Sequence, residues 1–294
     1  MIIGVDIGGS HITSGLVRGG GHLIKETIVK NKTVAVEGDE LIELWAATIE
    51  TVLNDHKGIS GIGIAIPGPF DYQNGIALFD GSNKKFSSIS NVNVRKALLS
   101  YLNFRGEVRF VNDATAFALG EDWVGSAKAY DRTLAITLGT GFGSAIVHDG
   151  SILTVGRDVP EDGCFWHLPF RGGIADDYFS TRWLVKRFKK VSGIATAGAK
   201  EIADLCGSNH YANQVFTEFG RNLGVFLYPW LDLLASEAVV IGGNIARALN
   251  LFQDSLNFKL KELGVSPVIL KSELMEEAAL IGSTKMLDLK NDPL

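Results

Sequence analysis

Apolar residues along the chain fall into two patterns that alternate, and the alternation repeats. The opening run MIIGVDI predicts a buried strand, followed by a turn at Gly8 and Gly9. A second strand is predicted over Ile12 to Val17 and a third beyond Gly19-Gly20-Gly21, so that three strands form a meander. Leu41, Leu44, Trp45, Ile49, Val52 and Leu53 then recur at helical spacing. The apolar run Ile59 to Ile66 gives another strand, which stops at Pro67-Gly68-Pro69, and a helix over Val92 to Leu102 leads into the strand EVRFV.

After EVRFV the order starts again. A helix over Ala114 to Trp123 precedes a strand from Thr133 to Leu138, a glycine-rich turn and a strand from Ser144 to His148. A mainly helical tract then runs up to AVVIGG. Two similarly built α/β halves are therefore expected, with residues 1–112 in the first and 113–272 in the second. The last helix, about Glu273 to Lys290, is expected to cross back to the first half.

Composition narrows the class. With 294 residues, 46% hydrophobic and 21% charged, the chain has enough apolar material for one large core or two modest ones. The net charge of −5 comes from interspersed acids and bases, so no basic stripe suits a nucleic-acid backbone, and no nucleic-acid partner is expected. The first strand lacks a basic leader and carries Asp6, while Pro229, Asp232 and Glu237 interrupt the most apolar later stretch. Neither a secretory signal nor a membrane partner is expected. Cys164 and Cys206 are too few for a disulfide framework, and a cytoplasmic location fits.

Two glycine turns carry the candidate chemistry. GVDIGGSHITSGLV ends a strand with Asp6 and turns through Gly8, Gly9 and Ser10; TLGTGFGSAIV turns through Gly139, Thr140, Gly141 and Gly143. Turns without bulky side chains let phosphate oxygens approach backbone N–H groups, and a matching pair suits one polyphosphate clamped from two sides. Each turn alone is equally a tight hairpin bend. Both run into strand-like residues rather than a helix, which disfavours a dinucleotide fingerprint, and no Gly-Lys-Ser or Gly-Lys-Thr of a Walker loop occurs. A third apolar strand ends at Gly242, Gly243 and Asn244, where adenosine could lie against the backbone or where a strand simply turns into a helix.

Asp113 stands between the strand EVRFV and the helix beginning ATAFALGE. A carboxylate there can accept a proton from a hydroxyl attacking a terminal phosphoryl group. The competing reading is that Asn112 or Asp113 merely caps the helix. Asp6 is better suited to ordering a hydrated Mg²⁺ near phosphates than to acting as a base.

Taken together, GVDIGGSHITSGLV, AIPGPFD, VNDATAFALGE, TLGTGFGSAIV, GGIADDYFSTRWL and VVIGGNIA, in this order, resemble the ROK family of bacterial sugar kinases and sugar-responsive repressors. The resemblance covers essentially the whole chain. It implies an actin-like (ribonuclease H-like) ATPase fold, two similar α/β domains around a nucleotide and sugar cleft. It also implies ATP and Mg²⁺ as cofactors, a small-molecule sugar substrate and Asp113 as the catalytic aspartate of a glucokinase-like hexose kinase. The sugar would be held by Asn83, Asn112, Glu161 and Asp176, and its 6-hydroxyl is the expected acceptor. Family members are often dimers, which leaves a homodimer open.

The sequence departs from the family where Cys164 replaces a histidine after Glu161, where Asp176 replaces a glutamate, and where the zinc cysteines are missing. Cys164 and His167 alone do not make a four-coordinate site, and no structural metal is expected. His167 could instead fill the gap left by the histidine. His11 stands where a lysine is common, as an exposed turn residue or a phosphate contact. A non-catalytic sugar- or nucleotide-sensing protein of the same fold is the alternative to a kinase. A DNA-binding helix-turn-helix ahead of the first strand is not expected.

Overall fold

The structure is a computed structural model and describes residues 1–79 and 86–288. The chain divides into two compact units, one comprising Met1–Val124 and Glu276–Leu294 and the other Gly125–Met275.

The first unit begins with β1 (Ile2–Ile7), β2 (His11–Arg18) and β3 (His22–Lys32), followed by α1 (Gly38–Asn54) and β4 (Gly61–Ile66). A short ribbon of β5 (Phe70–Asp71) and β6 (Ile76–Ala77) leads to α2 (Val94–Tyr101), β7 (Glu107–Asn112) and α3 (Asp113–Trp123). The main sheet has the order β3-β2-β1-β4-β7. Its first three strands are antiparallel, whereas β1, β4 and β7 run parallel. The parallel strands read as near-continuous apolar runs because both faces are covered. Burial of Ile3, Val5, Ile7, Ile62, Ile64 and Ile66 against Trp45, Ile49 and Leu98 gives this unit its own core.

The second unit repeats that plan. Here β8 (Arg132–Leu138), β9 (Phe142–His148) and β10 (Ser151–Ile152) form the antiparallel part. A hairpin of β11 (Pro169–Phe170) and β12 (Gly173–Ile174) and the helices α4 (Ala175–Tyr178), α5 (Thr181–Ser192), α6 (Ala199–Leu205) and α7 (His210–Leu233) follow. Then come β13 (Ala238–Gly242), α8 (Gln253–Leu263) and β14 (Val268–Lys271), giving the sheet order β10-β9-β8-β13-β14 with β8, β13 and β14 parallel. Its separate core joins Leu134, Ile136 and Ile241 to Phe179, Phe216, Phe219 and Phe252.

The boundary expected at 112/113 is corrected to 124/125, and the reason is packing. The C-terminal helix α9 (Glu277–Asp288) lies along α3 at glycines: a Cβ on Gly120 would meet the backbone of Ala278, and one on Gly282 the backbone of Ala116 and Gly120. Glycines at Gly4 and Gly63 likewise admit the α9 backbone at Leu280 and Ser283 onto β1 and β4. These close approaches bind α3 into the first unit. The Lys285–Asp122 ion pair, 2.8 Å and with both side chains at most a tenth exposed, fixes the register of α9 on α3.

Candidate functional site

In the first unit the chemistry gathers at the carboxyl ends of β1 and β7. Cross-strand register aligns Asp6 with Thr13 of β2, Thr13 with Lys30 of β3, and Asp6 with Ala65 of β4. Cross-strand partners share a face of the sheet, so Asp6 and Lys30 lie in one row. Lys30 in turn holds Glu276 at 3.0 Å. Asp6 is half-buried, and loss of hydration pushes its carboxyl up to about 7, reinforced by the nearby charges of Asp113 and Glu276 and opposed by Lys30.

The turn that follows is closed by its own backbone. The Gly8 N–H donates to the His11 carbonyl at 2.9 Å, so this amide is not available to a phosphate. His11 Nδ1 lies 2.9 Å from Ser10 Oγ at the exposed tip.

Sequence alone left Asn112 and Asp113 competing for the cap, and the geometry separates them. Asn112 is the N-cap of α3: its Oδ1 accepts from the N–H groups of Ala114 at 3.0 Å and Thr115 at 3.2 Å. Its Nδ2 donates to the Tyr72 hydroxyl at 3.1 Å, which leaves one amide proton over. Asp113 accepts from Ala114 N–H through Oδ1 at 2.9 Å. The residue is exposed, yet the protein packed around it leaves the carboxylate incompletely hydrated, and this desolvation raises its pKa against the lowering effect of the Ala114 N–H. An open carboxylate with raised proton affinity is a competent base.

In the second unit the matching turn joins β8 to β9. Gly139 N–H donates to the Gly141 carbonyl at 3.0 Å, so this amide too is used within its own turn, one residue tighter than at Gly8. The Gly139 carbonyl accepts from both the N–H and the hydroxyl of Thr181, at 2.8 and 2.9 Å. Asp176 Oδ1 accepts from Phe142 N–H at 2.7 Å, while its Oδ2 pairs with Arg182 at 2.6 Å. Arg182 also donates to the Thr140 carbonyl at 3.0 Å. A Cβ at Gly141 would stand 2.9 Å from Asp176 Oδ1, so this carboxylate fits against a glycine. Both oxygens of Asp176 are thus engaged in bracing the turn, a role that sequence reading, which assigned it to a sugar, did not anticipate. Arg182 was missed altogether.

Gly243 follows β13 with a φ of 79°, and a Cβ there would come within 2.8 Å of Leu138 N. Only glycine lets the end of β13 lie this close to the end of β8. Asn244 opens the helix expected there, which is a 3-10 helix over Asn244–Leu251. Glu161 is exposed in a short turn, and Cys164 Sγ donates to the Asp162 carbonyl at 3.5 Å. His167 packs its ring edge-on against Trp166. Asn83 lies outside the described residues. Among the described residues there is no metal-binding group of three or more His, Cys, Asp or Glu side chains, and no helix is long and apolar enough to cross a membrane.

Comparison with known proteins places the chain. A glucokinase of Thermotoga maritima is 29% identical over 97% of this chain and 96% of its own length. A beta-glucoside kinase of Listeria monocytogenes is 25% identical over 96% of this chain and 95% of its own. The crystal structure of a ROK family glucokinase from Streptomyces griseus, in complex with glucose and AMPPNP, superposes with a TM-score of 0.74 at 23% identity, covering 97% of this chain and 98% of that one. The fold is the actin-like ATPase fold, to which the repeated sheet order already pointed. The ROK family pattern spans residues 2–288, and the chain belongs to the ROK family.

Proposed function

We propose that the protein is an ATP-dependent sugar kinase that transfers the γ-phosphoryl group to a hydroxyl of a hexose or amino-hexose, with O6 as the acceptor. The observation that carries this reading is Asp113: an open carboxylate, one oxygen anchored on the first turn of α3, with its proton affinity raised, and charge-coupled to Asp6 beside a glycine turn. Its free oxygen accepts the proton of the sugar hydroxyl as that oxygen attacks phosphorus, and ADP leaves.

Because Gly8 and Gly139 close their own turns, the amides of Gly9 and Ser10 and of Thr140 and Gly141 are those left for phosphate oxygens. Asp176 and Arg182 act on the second turn by holding its shape. Gly242, Gly243 and Asn244 supply a side-chain-poor edge for adenosine. The residual amide proton of Asn112 and, in the second unit, the exposed carboxylate of Glu161 are the groups left for sugar hydroxyls in this scheme.

The donor set also fits Mg²⁺. Loss of hydration, with the nearby charges of Asp113 and Glu276 adding to it, pushes the Asp6 carboxyl up to about 7, and a divalent cation would relieve the charge crowding. One carboxylate with phosphates and waters is the usual environment of Mg²⁺, so the lack of a dense ligand cluster among the described residues agrees with it. When bound, the ion neutralises phosphate charge. Asp6 is the residue that would hold it.

ADP release measured across a panel of hexoses and amino-hexoses tests the reading. Turnover with at least one sugar is expected. Binding of a sugar without ADP release would instead make the protein a sensor.

A further inference from the structure

A groove of about 730 Å³ opens along α5, wholly within the second unit. Arg182, Lys186 and Lys190 line it at four-residue spacing, so their heads form one stripe along the helix, and Arg187 and Arg171 add to it. Against these five cations stand two lining carboxylates, Asp177 and Glu218, leaving a formal excess of three positive charges in a chain whose net charge is −5. Glu218 is occupied by Arg187 at 2.8 Å, and Asp177 accepts from Ile174 N–H at 3.1 Å. Lys186 and Lys190 form no ion pair with a described residue.

Exposed lysines alone would not make a site, but Asn222 does not fit a merely solvated face. It lines the groove from α7, is only 3% exposed, and its carboxamide makes no hydrogen bond to a described residue. Its donor and acceptor open into the groove and pair with no described residue, so both are left for whatever occupies that space. The wall beside it is aromatic: Tyr178 and Trp183 lie 6.5 Å apart, and Trp183 packs on Phe219 at 5.9 Å. Cations for a phosphate, a buried carboxamide for a hydroxyl and an aromatic wall for the apolar face of a sugar ring meet in a space far larger than one phosphate.

We propose that this groove binds a phosphorylated sugar, with its phosphate on Arg182, Lys186 and the neighbouring cations and a ring hydroxyl on Asn222. Arg182 connects the groove to the β8–β9 turn, since the same guanidinium holds the Thr140 carbonyl and Asp176. A phosphate that draws on Arg182 competes with those bonds. Occupancy of the groove therefore weakens nucleotide binding, and nucleotide weakens occupancy by the same factor. This coupling rests on the nucleotide reading of the turn, whereas binding in the groove does not.

The test is calorimetric titration of the full chain with glucose 6-phosphate, glucose and inorganic phosphate, repeated on K186Q/K190Q, whose changes are exposed and away from the turns. Glucose 6-phosphate is expected to bind, at least ~10-fold more tightly than inorganic phosphate, and at least ~10-fold more weakly to the double variant. Binding to the Asp113→Asn protein is expected to match wild type, which separates this result from any failure of turnover. No binding at millimolar concentration, equal affinity for inorganic phosphate, or undiminished binding to the double variant would overturn the proposal.

Discussion

Asp6→Asn probes the electrostatics of the first unit without removing an apolar contact. Ionised Asp6 loses hydration to the protein around it and faces Asp113 and Glu276, so its carboxyl is pushed up from 3.8 to about 7. At about 1.36 kcal/mol per tenfold change in proton affinity, that difference sets a ceiling of about 4 kcal/mol. Partial access of water reduces it to ~2 kcal/mol. The sign follows from proton counting. Between the two values the unfolded chain has already lost the proton that the folded chain keeps, so stability falls as pH rises. The contribution is whole below about pH 4 and gone above about pH 7. Asparagine carries no charge to repel, so the variant should be the more stable protein at about pH 8, by ~4 °C in melting temperature for a chain of this size, with the gap closing toward about pH 4.5. Thermal unfolding of both proteins in Mg²⁺-free buffer across that range measures it. A gap that is constant with pH, or a variant less stable at high pH, would refute the reasoning.

Three further changes separate binding from scaffolding. Asp176→Asn keeps an acceptor for Phe142 N–H but loses the ion pair to Arg182, so the KM for ATP should rise ~10-fold with kcat and the sugar KM little changed. A rise in sugar KM alone would return Asp176 to the sugar. Gly243→Ala forces a side chain into a φ of 79° and against Leu138, which should lower stability by about 2–4 kcal/mol in urea unfolding; an unchanged midpoint would contradict the close approach. Asn112→Ala removes the α3 cap and the Tyr72 contact, and about 1 kcal/mol of stability should go with them, measurable as a lower urea midpoint.

What could be read from the sequence was whatever depended on neighbours along the chain. Continuous apolar runs marked β1, β4, β7 and β13, and paired glycines marked both turns, because strand burial and tight turning leave local signatures. The two-residue strands β5, β6, β10, β11 and β12 were not visible, since two residues carry no period. Asp113 was found by its place between strand and helix, but whether it or Asn112 capped α3 depended on side-chain torsions that no spacing encodes. Asp176 shows the limit most clearly. Its partner Phe142 lies 34 residues earlier, so its attachment to the turn emerges only when α4 is folded against β9. The unit boundary failed for a similar reason: the glycines that seat α9 on α3, Gly120 and Gly282, lie far apart in the chain.

The most direct measurement is ADP release by wild type and Asp113→Asn side by side, at saturating ATP, Mg²⁺ and the best sugar of the panel. The base assignment predicts a kcat lower by about 10²–10⁴ in the variant with the sugar KM within a few fold. An asparagine variant that turns over at close to the wild-type rate would contradict it.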